Sequence, residues 1–199
     1  GMQYGFFIDA KYCLGCKTCQ VACRDRSNLE VGQLFRKVHD YEDGGWVKRG
    51  NAWINNVTSY WLSVSCNHCA NPACVKACPT GAMYKRTDNG LVLHDAEDCV
   101  GCQSCVWACP YDAPQYNPET GKVHKCDGCI DRVEAGLRPV CVDACPYQLI
   151  EFGDIEELRA KHGGTDRVKG LADPGITSPS LVINPPAGAI SSPNGGNGK

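Results

Sequence analysis

The sequence is short of the residues that usually build a protein interior. It has two methionines and four phenylalanines, and the 43% of its residues counted as hydrophobic includes sixteen cysteines. Set the cysteines aside and the apolar complement is thin for 199 residues, so something besides an oily core must hold the fold. No apolar run approaches the roughly 18–20 residues of a bilayer-spanning helix. There is no block of basic residues and the net charge is −2, which argues against nucleic acid as a partner. The opening stretch GMQYGFFIDAKYC has no charged leader, long apolar core or cleavage site, and does not read as an export signal. Folding in the cytoplasm is expected, with any export depending on another protein. No nucleophile–base pair, glycine-rich phosphate loop or substrate-pocket signature stands out either, so no catalytic role is expected. The length allows one large domain or two small ones.

What is abundant is cysteine, in four groups with none left over. CLGCKTCQVAC holds Cys13, Cys16, Cys19 and Cys23; CNHCANPACVKACP holds Cys66, Cys69, Cys74 and Cys78. CVGCQSCVWACP holds Cys99, Cys102, Cys105 and Cys109; CDGCIDRVEAGLRPVCVDACP holds Cys126, Cys129, Cys141 and Cys145. A disulfide scaffold is one reading, but every group begins C-x2-C, and a bridge across so short a loop constrains little. Structural zinc is a second. Zinc ribbons use C-x2-C pairs that stand apart, and they have no need for the third cysteine at the next three-residue step in groups one and three. The third reading is iron–sulfur cubes, and the spacing favours it strongly. A C-x2-C-x2-C loop wraps a four-iron cube and meets three corners; the fourth cysteine lies on a short helix and reaches the neighbouring cube, as in two-cluster ferredoxins. In groups two, three and four a proline follows at once, and its fixed φ and missing N–H turn the chain where it leaves the cube. Group one has Arg24 there.

Gly15, Gly101 and Gly128 each precede a second cysteine, where a residue without Cβ admits positive φ and lets backbone N–H groups approach sulfur. Group two has His68 at that place, read as a satisfied structural residue rather than a ligand. Four oxidised cubes with their thiolates add about −8 to the formal charge. Lys17, Lys76, Lys125, Arg132 and Arg138 lie near the cysteine groups. They can offset part of it, although each alone reads as a solvated surface cation.

The fold class expected is α+β: two ferredoxin-like dicluster modules with short helices, short antiparallel strands and a β-hairpin insertion, rich in loops. Group order pairs the second and third groups as an inner module over 66–114. Crossing over gives one [4Fe–4S] cluster on Cys66, Cys69, Cys74 and Cys109, and another on Cys99, Cys102, Cys105 and Cys78. Groups one and four then pair across the chain as a second module, 3–23 with 115–153. Its clusters fall on Cys13, Cys16, Cys19 and Cys145, and on Cys126, Cys129, Cys141 and Cys23. Cys23 set against Cys13 would refute this crossover. Residues 24–65 read as an antiparallel hairpin, with Trp46, Trp53 and Trp61 as core or interface. LVL and IEFG read as strands. DIEELRAKHG reads as a helix over 154–163, with Asp154 as N-cap, Glu157 completing a capping box and Gly163 as the stop. Residues 164–199, rich in Gly, Pro, Ser and Asn, read as an extended or disordered tail, with LVINPP either frayed or laid on a partner.

QYGFFID, GCKTC, SCNHC with PAC, CPYDAPQYN, HKCDGC and ELRAKHG together resemble the electron-transfer subunits of bacterial dimethyl sulfoxide reductases, from about Gln3 to Gly163. The resemblance implies a non-catalytic subunit with four [4Fe–4S] clusters. It would sit between a molybdopterin catalytic subunit and a quinol-oxidising integral-membrane anchor, exported folded with the catalytic subunit to the periplasmic face of the membrane. The Cys13/Cys16/Cys19/Cys145 cluster would face the molybdenum subunit, and the Cys99/Cys102/Cys105/Cys78 cluster the anchor. Nitrate reductase relatives carry tryptophan at the place of Cys102 and hold a three-iron cluster there; Cys102 keeps the cube complete. Iron–sulfur subunits of formate, thiosulfate, tetrathionate or selenate systems are similar, and a stand-alone polyferredoxin or a zinc-stabilised interaction module remain open.

Overall fold

The computed structural model describes residues 1–190. Along the chain run β1 (Tyr4–Asp9), α1 (Thr18–Arg26), β2 (Lys37–Asp43), β3 (Trp46–Arg49), β4 (Ala52–Asn55), β5 (Thr58–Val64), α2 (Ala73–Lys76), β6 (Met83–Lys85), β7 (Val92–His94) and α3 (Ser104–Ala108). Then follow β8 (Gln115–Asn117), β9 (Lys122–His124), α4 (Ile130–Glu134), α5 (Val140–Asp143), β10 (Ile150–Asp154), α6 (Ile155–His162) and β11 (Leu181–Asn184). Short helices and small, mostly antiparallel sheets make an α+β fold in which loops carry most of the chain.

β1 is the middle strand of a three-stranded sheet, antiparallel to β10 and parallel to β11. Both of its faces are covered, which is why YGFFID is a continuous apolar run rather than an alternation. Phe6 and Ile8 face a core with Val38, Tyr60, Leu62 and Ile150, and Cys19 and Cys141 belong to that same core. Phe7 turns to the other face, where Val182 and the α6 residues Ile155 and Leu158 meet it. The Asp154 carboxylate caps α6 by accepting from the Glu156 and Glu157 N–H groups at 3.0 and 3.3 Å. The other Asp154 oxygen accepts from the Gln3 N–H at 3.3 Å, and Gly163 ends the helix at φ 70°. Among the described residues the Glu157 side chain makes no hydrogen bond back to the Asp154 N–H, so the expected capping box is not closed and Asp154 caps the helix alone.

β11 corrects the expectation for LVINPP. The segment is neither frayed nor laid on a partner; it pairs with β1 of its own chain, Phe6 opposite Leu181 and Ile8 opposite Ile183. Leu181, Val182 and Ile183 are all buried. The cause is non-local: β1 needs a second neighbour for its backbone groups, and three apolar residues in a row suit a strand covered on both faces. Residues 191–199 of that expected tail lie outside the described residues. Ile183→Ala is expected to lower stability by about 2–5 kcal/mol, read as a lower midpoint of anaerobic unfolding; an unchanged midpoint would show that the strand is not held by its packing.

β2 and β5 pair antiparallel from Lys37 opposite Val64 to Asp43 opposite Thr58, and β3 and β4 form a further hairpin at the far end. Val38, Tyr60, Leu62 and Val64 face the core. Trp61 packs against it half-buried, whereas Trp46 and Trp53, on the outer hairpin, are 66% and 64% exposed.

Candidate metal centre

Cysteine groups one and three share a local conformation that their spacing demands. Gly15 and Gly101 have φ of 69° and 70°, and Lys17 and Gln103, after the second cysteine of each group, also sit in the left-handed region at 60° and 61°. Two such residues coil the loop inward. Neither glycine admits a side chain: a Cβ on Gly15 would strike the Trp61 indole, and one on Gly101 the Gly121 carbonyl.

The third and fourth cysteines are four residues apart in every group, Cys19 with Cys23, Cys74 with Cys78, Cys105 with Cys109 and Cys141 with Cys145. Each pair lies on, or just past the end of, a short helix. Four helical residues advance about 6 Å and come round to the same face, so one helix offers sulfur to two adjacent spaces. The helices then meet in pairs, α1 against α5 and α2 against α3.

Around these pairs the sulfurs gather into sets that cross between groups. Cys13, Cys16 and Cys19 line one cavity together with Cys145. Cys66, Cys69 and Cys74 line another with Cys109. Cys99, Cys102 and Cys105 line a third with Cys78. The sulfurs acting on Cys23 are those of Cys126, Cys141 and Cys129. The walls are apolar, with Ile8, Val38 and Pro146 in the first cavity, Pro72, Val92 and Pro110 in the second, and Met83 and Val123 in the third.

All sixteen cysteines are free. Among the described residues no three His, Cys, Asp or Glu side chains converge closely enough to hold a single metal ion. Four thiolates on zinc must come within about 4 Å of one another; these surround a space instead. That donor set, wide and all-sulfur, fits a cube of iron and sulfide. Burial, then the neighbouring Cys126 sulfur, push the Cys23 thiol up to about 12, and burial does the same to Cys74 and Cys129. Bare thiolates would be costly there, and iron, once bound, would supply the compensating positive charge. Hydrogen-bond donors are also aimed at sulfur: Leu149 N–H at Cys145 Sγ (3.3 Å), Met83 N–H at Cys78 Sγ (3.4 Å) and Gly128 N–H at Cys126 Sγ (3.4 Å).

His68, at φ 42° where the other groups have glycine, is fully buried. Its Nδ1 accepts from the Val92 N–H at 3.0 Å, which leaves the proton on Nε2, 3.9 Å from Cys126 Sγ. It is structural, and it also links the second cysteine group to the fourth. Of the five cations noted near the cysteines, Lys17, Lys76 and Arg138 are exposed, Arg132 is paired with Asp143, and Lys125 alone is buried. Sequence reading missed Arg36. It lies in an alternating stretch that reads as a strand, yet its guanidinium is 1% exposed and close to Cys141, Cys19, Cys126 and Cys23. It sits immediately before β2, two residues ahead of the core-facing Val38, and that spacing was the signal of it.

The similarities to known proteins agree with this geometry. Residues 57–155 match the model of a 4Fe-4S dicluster domain, and residues 10–26 that of a 4Fe-4S binding domain. The chain is 51% identical over 185 residues to YnfG of Escherichia coli, a probable anaerobic dimethyl sulfoxide reductase chain, with 93% of this chain and 90% of the relative covered. It is 50% identical, with the same coverage, to the B chain of the anaerobic dimethyl sulfoxide reductase of that organism. To the B subunit of the tetrathionate reductase of Salmonella typhimurium it is 38% identical, covering 90% of this chain and 71% of the relative. The chain belongs to the family of non-catalytic iron–sulfur electron-transfer subunits that includes the B chain of anaerobic dimethyl sulfoxide reductase.

Proposed function

We propose that the chain carries four [4Fe–4S] clusters and relays electrons from a quinol-oxidising membrane anchor to a molybdopterin catalytic subunit of the dimethyl sulfoxide reductase type. The observation that carries this reading is the crosswise gathering of sixteen free thiols into four sets of four. The ligands proposed are Cys13, Cys16, Cys19 and Cys145; Cys66, Cys69, Cys74 and Cys109; Cys99, Cys102, Cys105 and Cys78; and Cys126, Cys129, Cys141 and Cys23. When bound, such clusters supply one-electron redox centres. The polypeptide holds them, lines the first three sets with apolar walls, and aims N–H groups at Cys145, Cys78 and Cys126.

Exposure supports the order of the wire. Cys16 and Cys102 are the exposed cysteines, in the first and third cavities. Apolar residues stand out around each: Tyr12, Leu14 and Val21 near Cys16, and Val100 and Trp107, the latter 84% exposed, near Cys102. Such patches favour docking of protein partners. We assign the first end to the catalytic subunit and the second to the anchor. Among the described residues no helix is long and apolar enough to cross a membrane, so attachment would come through the anchor, on the periplasmic face. The stronger identity to dimethyl sulfoxide reductase chains than to the tetrathionate reductase relative favours a sulfoxide-type partner.

The test is anaerobic purification of the chain with its bound partners. About sixteen irons and sixteen sulfides per chain are expected, with molybdenum in the same complex. Zinc in place of iron would overturn the cluster assignment, and a brown, stable monomer without molybdenum would leave a polyferredoxin.

A further inference from the structure

Two cations lie buried beside the cysteine sets without an acid to balance them. Arg36 Nη1 donates to the Ser63 carbonyl and hydroxyl oxygens at 3.0 and 3.1 Å, and Nη2 donates to Ser65 Oγ at 2.9 Å. Its Nε has no partner, and its guanidinium stacks 4.8 Å from the Phe6 ring. Lys125 Nζ donates to the Val92 carbonyl and, at 2.8 Å, to that of Cys126. Every acceptor is neutral. Arg26, Arg86, Arg132, Arg138 and Arg167 all have carboxylates within reach; among the described residues the buried Arg36 and Lys125 have none. An uncompensated buried charge strongly destabilises a fold, so negative charge must be close by.

The cysteines around each cation show where it comes from. Arg36 is near Cys19 of the first set and near Cys23, Cys126 and Cys141 of the fourth. Ser63, which holds Arg36, also has its Oγ 3.2 Å from Cys19 Sγ. Lys125 lines the cavity of Cys66, Cys69, Cys74 and Cys109, and adjoins Cys126 of the fourth set. Each cation therefore stands at a junction between two sets, and the fourth set touches both.

We propose that Arg36 and Lys125 are shared counter-charges, Arg36 for the clusters of the first and fourth sets and Lys125 for those of the fourth and second, and that each holds its two clusters at a higher reduction potential. The proposal rests on the four-cluster reading. Each one-electron reduction takes a cluster with its thiolates from about −2 to −3 with no proton required, and a fixed positive charge in a water-poor surrounding favours the more negative form. The third set, Cys99, Cys102, Cys105 and Cys78, has neither of these cations beside it; the half-buried Lys122 donates to the Cys99 carbonyl at 2.8 Å there, and the set lies nearer the surface, with Cys102 exposed. Both residues are positioning residues in this sense: they donate no electron and bind no substrate.

The experiment is an EPR-monitored redox titration of the intact complex, run on parent, Arg36→Gln, Arg36→Lys and Lys125→Met, with iron counted in each. In Arg36→Gln two couples should fall, the reduced-to-oxidised ratio at fixed potential dropping about tenfold, or about 59 mV for one electron. In Lys125→Met two should fall, one of them shared with Arg36→Gln, while Arg36→Lys stays near the parent. A couple assigned to the third set should move in none. Four unmoved couples at full iron content overturn the proposal, and so does an equal shift of all four, which would signal general loosening. Should Arg36→Gln lose iron, the Lys125→Met pattern and the retained potentials of Arg36→Lys decide alone. A parent with fewer than four couples would count against the cluster reading itself, independently of either cation.

Discussion

A chain ending at Gly163 is expected to lose iron from the Cys66–Cys69–Cys74–Cys109 set and to lose most of its folded stability. The segment beyond Gly163 closes the fold on two sides. Its β11 takes one edge of β1, and buries Leu181, Val182 and Ile183, with Val168 and Ala189 from the flanking turns. At about 1.5–3 kcal/mol for each large apolar side chain, the loss rivals the roughly 5–15 kcal/mol by which whole domains are stable. The same segment fastens the loop between Cys66 and Cys74. Ala70 N–H donates to the Ser178 carbonyl at 2.8 Å and Asn71 N–H to that of Thr177 at 3.0 Å. Ser180 N–H donates to the Asn67 carbonyl at 3.0 Å and its hydroxyl to that of His68 at 3.1 Å. Thr177 itself lines the cavity. Iron per chain should fall by about four atoms or more, with β1 amides losing protection from hydrogen exchange. A truncated chain with full iron and an unshifted melting temperature would show the segment to be dispensable.

Cys102→Ser is expected to produce a three-iron cluster in the third set and to slow electron entry from quinol. Cys102 is exposed, and its sulfur already has the Ser104 hydroxyl 3.4 Å away. A serine oxygen is a harder and shorter ligand than thiolate, and an iron held by it at the solvent-facing corner is the one most readily lost. The remaining cluster carries one iron fewer and takes up an electron at higher potential. Passing that electron on becomes uphill, by on the order of tenfold in the equilibrium for each 59 mV. The checks are a new EPR signal in the oxidised protein, iron reduced by about one atom, and quinol-linked turnover reduced far more than turnover driven by a soluble donor to the catalytic subunit. An oxidised spectrum identical to the parent's would remove Cys102 from the ligand set.

The two experiments probe features of different legibility. Cys102 was readable as a candidate ligand because its partners Cys99 and Cys105 are three residues to either side. The segment after Gly163 was not readable as a strand, since its composition is that of a disordered tail and the reason for its order is an unfilled edge on β1, more than 170 residues earlier in the chain for the pair Phe6 and Leu181. Trp46 and Trp53 show the same limit. Their stretch reads correctly as a hairpin, but nothing local says that the outer hairpin would leave both rings in solvent.

By itself the sequence determined the chemistry. Three-residue steps through groups one and three, and a four-residue step between the last two cysteines of every group, prescribe inward-coiling loops and short helices that offer two sulfurs from one face, because backbone geometry over so few residues leaves little else possible, and Asp154 capping α6 follows from the same local rules. Only the tertiary structure decided which charges would be buried and what would cover them. Arg36 and Lys125 look like any other cations in the chain, and it took the meeting of α1 with α5, and of the loop at His68 with Cys126, to bring them between cysteine sets. Spacing along a chain is a short-range property, whereas the energy of a charge depends on everything that replaces water around it.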